Sequence, residues 1–160
     1  MKRLIILFIV FSQTIYSQYK INTQPEQVWV DSTYNSLTFE EKVGQLFMIA
    51  AYSNKKEDHA QDLDKLITKY KIGGLIFFQG GPNRQAKLTN RFQAKSKIPM
   101  LIGIDAEWGL SMRIDSTHSY PWNMTLGAIK DNSLLEKMGM QMADQSKRLG
   151  IHFTFGPVVD

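Results

Sequence analysis

Cysteine is absent from the 160 residues. The chain therefore makes no disulfide, offers no thiolate to a metal and has no cysteine nucleophile. Export stays open, because disulfides are permitted outside the cytosol but not required there. Long apolar runs are also missing. The run at residues 4–11 has eight residues, against about twenty needed to cross a bilayer, so no stable membrane anchor is expected. A basic stripe is missing as well: the net charge is +4, and Lys and Arg are scattered among acids. Nucleic acid is accordingly not an expected partner. Gly80-Gly81 precedes a helical pattern, yet no Gly-Lys-Ser/Thr ending follows and no Gly-x-Gly-x-x-Gly occurs. The pair is a turn rather than a phosphate cradle. His59, His118 and His152 lie far apart with no His-x-x-x-His spacing, so no metal site is expected.

What is present is the composition of one ordinary globular domain, 43% hydrophobic and 21% charged. Met1-Lys2-Arg3, the apolar run and a polar tail to Gln18 have the layout of a secretory signal peptide over residues 1–17, cut after Ser17. No cysteine stands at the cut to take a lipid. The expected location is periplasmic or secreted. Residues 18–36 have no sustained period and are expected to be a surface leader, pinned by Val28 and Trp29.

From residue 37 the pattern becomes regular. Thr38 and Glu41 form a capping box for a short helix that Gly44 stops. Residues 45–51 are expected as a first buried strand, with a continuation of the helix as the alternative. Ala60, Leu63, Ile67 and Tyr70 recur at helical spacing. Leu75-Ile76-Phe77-Phe78 is a second strand, Leu88 and Phe92 mark another helix, and the stretch from Ile98 to Ile104 is a third strand. After a long loop, Ser133 and Glu136 suggest a second capping box. That helix would bury Leu135, Met138, Met142 and Leu149 and end at Gly150. A fourth strand is expected from Phe153 to Val159. The order β-α-β-α-β-loop-α-β implies an α/β fold with a parallel sheet and right-handed crossovers. Four such strands in about 120 residues make roughly the first half of a (β/α)8 TIM-type barrel, which takes about 250. Residues 37–160 are thus expected to be a truncated barrel.

Chemistry in such sheets gathers at the carboxyl ends of the strands. There the third strand delivers Asp105, Glu107, Trp108 and Arg113. If the strand persisted, Asp105 and Glu107 would face the same way, about 6.6 Å apart at about 3.3 Å per residue. That spacing fits a pair of glycosidase carboxylates. It also fits a loop acid capping backbone amides beside a solvated neighbour. Arg113 suits a carboxylate or a ligand oxygen through its planar fork. Trp108 and Trp122 suit either a sugar face or the core.

The segment Ile104-Asp105-Ala106-Glu107-Trp108-Gly109-Leu110-Ser111-Met112-Arg113 resembles the Asp-x-Glu-Gly-Gly segment of glycoside hydrolase family 3, which closes on an Arg eight residues after the Asp. Ordered matches support it at Glu41-Lys42-Val43-Gly44-Gln45-Leu46, at Gly73-Gly74-Leu75-Ile76-Phe77-Phe78, and from Leu149-Gly150-Ile151 to Phe155-Gly156-Pro157-Val158-Val159-Asp160. The resemblance is to the β-N-acetylhexosaminidase-like branch. It implies that Asp105 and Arg113 bind the sugar in the −1 subsite, with Glu107 and Trp108 as pocket neighbours. Trp108 departs from the motif, which often has Gly there. It implies retaining hydrolysis of terminal β-glycosidic bonds without a cofactor. Nucleophile and acid/base would come from later segments, so no catalytic residue is expected within these 160. A β-glucosidase of the same family and a non-catalytic carbohydrate-binding module are the alternatives.

Overall fold

In the computed structural model, residues 24–158 are described; the expected signal peptide lies outside them. Residues 1–37 and 38–160 form two compact units. In the first, helix α1 spans Gln24–Asn35. This corrects the expected irregular leader. Pro25 falls in the first turn, where its missing N–H costs nothing, and Gln27 donates to Asp31 one turn on, at 2.8 Å. Val28, Trp29 and Val30 are consecutive, so they fan around the helix instead of forming a stripe, which hid the period. Val28 and Trp29 are exposed on this helix.

The second unit begins with α2 (Phe39–Gly44), where the capping box is complete: Glu41 N donates to Thr38 Oγ1 and Thr38 N to Glu41 Oε2. Then follow β1 (Met48–Tyr52), α3 (Glu57–Tyr70), β2 (Gly74–Gln79), α4 (Pro82–Lys95) and β3 (Leu101–Ile104). A 3-10 turn (Leu110–Met112), a short α5 (Asn123–Leu126), α6 (Asn132–Arg148) and β4 (Phe153–Thr154) complete it. The strands lie in the order β1-β2-β3-β4, all parallel, with Ile49 beside Leu75 and Leu75 beside Ile102. This is the first part of a (β/α)8 barrel, unclosed.

Alternation along the strands divides the sheet into two faces. Ala51, Leu75, Phe77, Ile102 and Ile104 are buried in one core cluster with Ala60, Leu63 and Ile67 of α3 and Phe92 of α4. Ile76 and Phe78 are half-buried and Leu101 is exposed, so the opposite face stands open. The helices are tied to each other and to the sheet by polar bonds. Arg91 of α4 reaches Asp64 at 2.6 Å and Glu57 at 2.7 Å on α3, and Lys95 meets Asp64 at 2.6 Å. Gln93 exchanges two hydrogen bonds with the backbone of Met100.

Two expectations at the end of the chain need correction. The cap of α6 is Asp131, whose carboxylate accepts from Ser133 N at 3.0 Å, and not Ser133 with Glu136. Asp131 satisfies the orphan amide from outside the first turn, which leaves Ser133 free to be helical. The expected stripe of Leu135, Met138, Met142 and Leu149 is the inner side of α6, yet each is only half-buried. The end of that helix is as expected. Gly150, at φ 68, lets Ile151 N and Gly150 N donate to the carbonyls of Ser146 and Lys147, a Schellman closure. Strand β4 has two residues instead of seven, because its partner β3 stops at Ile104 and the ladder ends with it.

Candidate functional site

Strand β3 ends at Ile104, and the next residue, Asp105, stands at the mouth of the open face. The chain then folds back on itself. Leu110 and Ile114 are fully buried, Ile114 pairs with Gly80 beyond the end of β2, and Asp115 N donates to the Gly80 carbonyl at 2.7 Å. These anchors bring the guanidinium of Arg113 to Asp105, with Nη2 2.8 Å from Oδ2. The same guanidinium lies 4.9 Å from the centroid of Phe78, a residue of β2, a cation–π contact. Arg113 Nε is buried without a partner among the described residues. Asp105 keeps 27% of its side chain exposed and Arg113 22%, so the pair is held by protein on one side and open on the other.

Asp105 and Glu107 do not work as one pair in this geometry. Ala106 continues the buried side of Ile102 and Ile104, and each acid takes its own partner. Glu107 Oε2 accepts from Asn123 Nδ2 of α5 at 2.8 Å, while Asp105 takes Arg113. Trp108 is half-buried, and its ring centroid lies 5.9 Å from that of Trp122, which is exposed. Gly109 has φ 95, and a Cβ there would stand 2.8 Å from the Tyr120 ring. That position requires glycine both for its backbone and for space. Tyr120 is locked in turn: its N donates to Trp108 O and its hydroxyl bonds Gln141 Oε1 on α6 at 2.8 Å.

The three histidines are separate. His59 Nε2 accepts from Tyr52 N at 3.2 Å; burial, helped by the charge of Lys55, holds its imidazole below the usual value. His152 Nδ1 accepts from Ile102 N, and the His118 ring packs edge-on against Tyr120. No cluster of three or more potential metal ligands occurs among the described residues. Phe78 and Asn123 are the site neighbours that motif reading misses. Phe78 carried a signal in its place near the carboxyl end of a predicted strand. Asn123 carried none, since only the folded loop brings it to Glu107.

Parallel strands with flanking helices, and polar side chains gathered past the strands' carboxyl ends, are the arrangement of an α/β barrel. The glycosyl hydrolase family 3 N-terminal domain model matches residues 38–160, and the chain belongs to that family. A β-N-acetylglucosaminidase/β-glucosidase of Cellulomonas fimi is 26% identical over 132 residues, 82% of this chain and 23% of the relative. Beta-hexosaminidase A of Pseudoalteromonas piscicida is 33% identical over 112 residues, 62% of this chain and 19% of that protein. Among solved structures, the β-glucoside phosphorylase BglX bound to 2FGlc superposes with a TM-score of 0.75 at 27% identity, covering 83% of this chain and 24% of its own. The chain thus spans no more than about a quarter of each of these proteins.

Proposed function

We propose that this chain is the N-terminal half of the barrel of an exported, retaining β-glycosidase that releases terminal N-acetyl-β-D-hexosamine from glycans or peptidoglycan fragments. The observation that carries the reading is the Asp105–Arg113 pair, fixed at the mouth of β3 with one side open. A carboxylate so oriented accepts hydrogen bonds from two sugar hydroxyls, and such bonds tighten as the ring flattens toward the oxocarbenium-like transition state. Arg113 fixes the carboxylate's orientation. The groups that cut the bond come from outside residues 1–160: a carboxylate nucleophile that forms a glycosyl-enzyme, then an acid/base that activates water. Trp108 takes a place where the family often has glycine, and so shapes the pocket wall beside Glu107. The hexosaminidase names among the relatives support the sugar preference.

The glucosidase and glucoside phosphorylase names support a second reading, a β-glucoside substrate in the same pocket. Nitrophenol release by the full-length protein separates the two. Turnover of the N-acetyl-β-D-glucosaminide with little of the β-D-glucoside is expected, and the reverse preference would assign the second reading. Export follows from the layout of residues 1–17 and is tested by fractionating the producing cells. Mature protein beginning at Gln18 outside the cytosol is expected, and an intact Met1 in the cytosol would refute it.

A further inference from the structure

A groove of about 210 Å³ lies at the carboxyl end of β1, between the first turns of α3 and α4. It shares no lining residue with the Asp105–Arg113 pair. Four of its lining side chains are cationic: Lys55, Lys56, Arg84 and Lys87. The acid among them, Glu57, is engaged with Arg91 at 2.7 Å. Arg84 is anchored from behind, its Nε donating to the Ser53 carbonyl at 2.9 Å. Its Nη2 reaches Asp115 only at 3.8 Å, between two side chains that are mostly exposed. The ammonium of Lys55 sits 3.8 Å over the Tyr52 ring. Neither Lys56 nor Lys87 has an ion-pair partner among the described residues. Cations gathered around one small concavity repel each other and attract an oxyanion.

Aromatic rings connect this groove to the sugar pocket. Tyr52 stacks on Phe78 with centroids 5.9 Å apart, and Phe78 lies 4.9 Å from the Arg113 guanidinium. The groove and the Asp105–Arg113 pair are thus two ring contacts apart at the carboxyl ends of neighbouring strands. We propose that the groove binds a carboxylate or phosphate group carried on the leaving-group side of the glycan, which makes acidic glycans the substrate class. The proposal rests on the glycosidase reading above and adds the charge of its substrate. Lys56 and Lys87 supply the attraction, and Arg84 supplies a pre-positioned donor fork.

The test uses the full-length protein and its Lys56→Ala/Lys87→Ala variant, which leaves the Asp105 pocket intact. Three substrates are compared: an N-acetyl-β-D-glucosaminyl disaccharide ending in glucuronate, its neutral methyl ester, and the analogue ending in a sugar phosphate. The wild type is expected to prefer an acidic substrate over the ester by about tenfold in kcat/KM, as suits two or three exposed charge pairs. Added salt and the double substitution should each bring that ratio toward one, without changing turnover of the ester. Preference for the phosphate alone, or for the glucuronate alone, identifies the source of the anion. No acidic preference, or a variant that slows ester and acid equally, overturns the proposal. Should none of the three be cleaved, the glycosidase reading fails separately. Calorimetry with glucuronate and inorganic phosphate then decides the groove: binding lost in the variant sustains it, and no binding to the wild type removes it.

Discussion

Among the described residues, Arg113 makes one ion pair and one ring contact and leaves one nitrogen buried without a partner. A lysine there keeps the charge but loses the planar fork that meets Asp105 while lying over Phe78. Arg113→Lys and Asp105→Asn are each expected to lower kcat/KM of the full-length enzyme by about 100-fold, because misplacing a positioning group costs that much. Steady-state kinetics with a nitrophenyl glycoside checks this, and a variant within twofold of wild type would refute the assigned roles. Gly109 is the second sensitive residue. At φ 95, with the Tyr120 ring where a Cβ would go, Gly109→Ala is expected to cost about 2 kcal/mol or more, read as a lower denaturant midpoint. The special backbone at Gly109 was visible only as a glycine in a motif. Its reason, the Tyr120 ring brought back by the ten residues between them, was not.

At the scale of elements, the clamp between α3 and α4 contributes to the acid response. Burial raises the Asp64 carboxyl, but hydrogen bonds from Arg91 and Lys95 outweigh it and leave the group below its ordinary range. A folded-state value below the unfolded one stabilises the protein above the unfolded value, about 3.9. That contribution is lost as pH falls from there through the folded value. Asp64→Asn is expected to flatten this acid limb in thermal melts and to cost about 2 kcal/mol at neutral pH, as for lost bonds to charged groups. A variant with an unchanged acid limb would place the response elsewhere. Elements with a local signature were legible: the capping box at Thr38 and Glu41 and the stripe Ala60, Leu63 and Ile67 are where the pattern put them, although Tyr70, the last residue of that stripe, is exposed. Helix α1 and the cap of α6 were not. In the first, three adjacent apolar residues carry no period; in the second, Asp131, Asn132 and Ser133 are all good caps, and only the backbone chooses among them.

Among the described residues, the second unit presents an open sheet face and two strand edges. Phe39, Leu46, Phe47, Leu101, Phe155 and Val158 are all exposed, and the free sides of β1 and β4 offer unpaired backbone groups. The 160-residue chain produced alone is therefore expected to self-associate, seen as light scattering that grows with concentration. A monomer that melts cooperatively and binds sugar would favour an independent carbohydrate-binding module instead.

The sequence alone determined the alternation of strands and helices, the parallel sheet and the place of Asp105 and Arg113 past the third strand. Periodicity and end signals are local and survive without any knowledge of partners. It also carried the family, through ordered matches from residue 38 onward. Only the tertiary structure decided that β3 stops before Asp105, that Glu107 goes to Asn123 and Asp105 to Arg113, and that Phe78 backs the guanidinium. It alone gathered Lys55 and Lys56 with Arg84 and Lys87 around one groove. Those outcomes depend on side chains distant in sequence meeting in space, and on a ladder that ends when its partner does, neither of which a local pattern encodes.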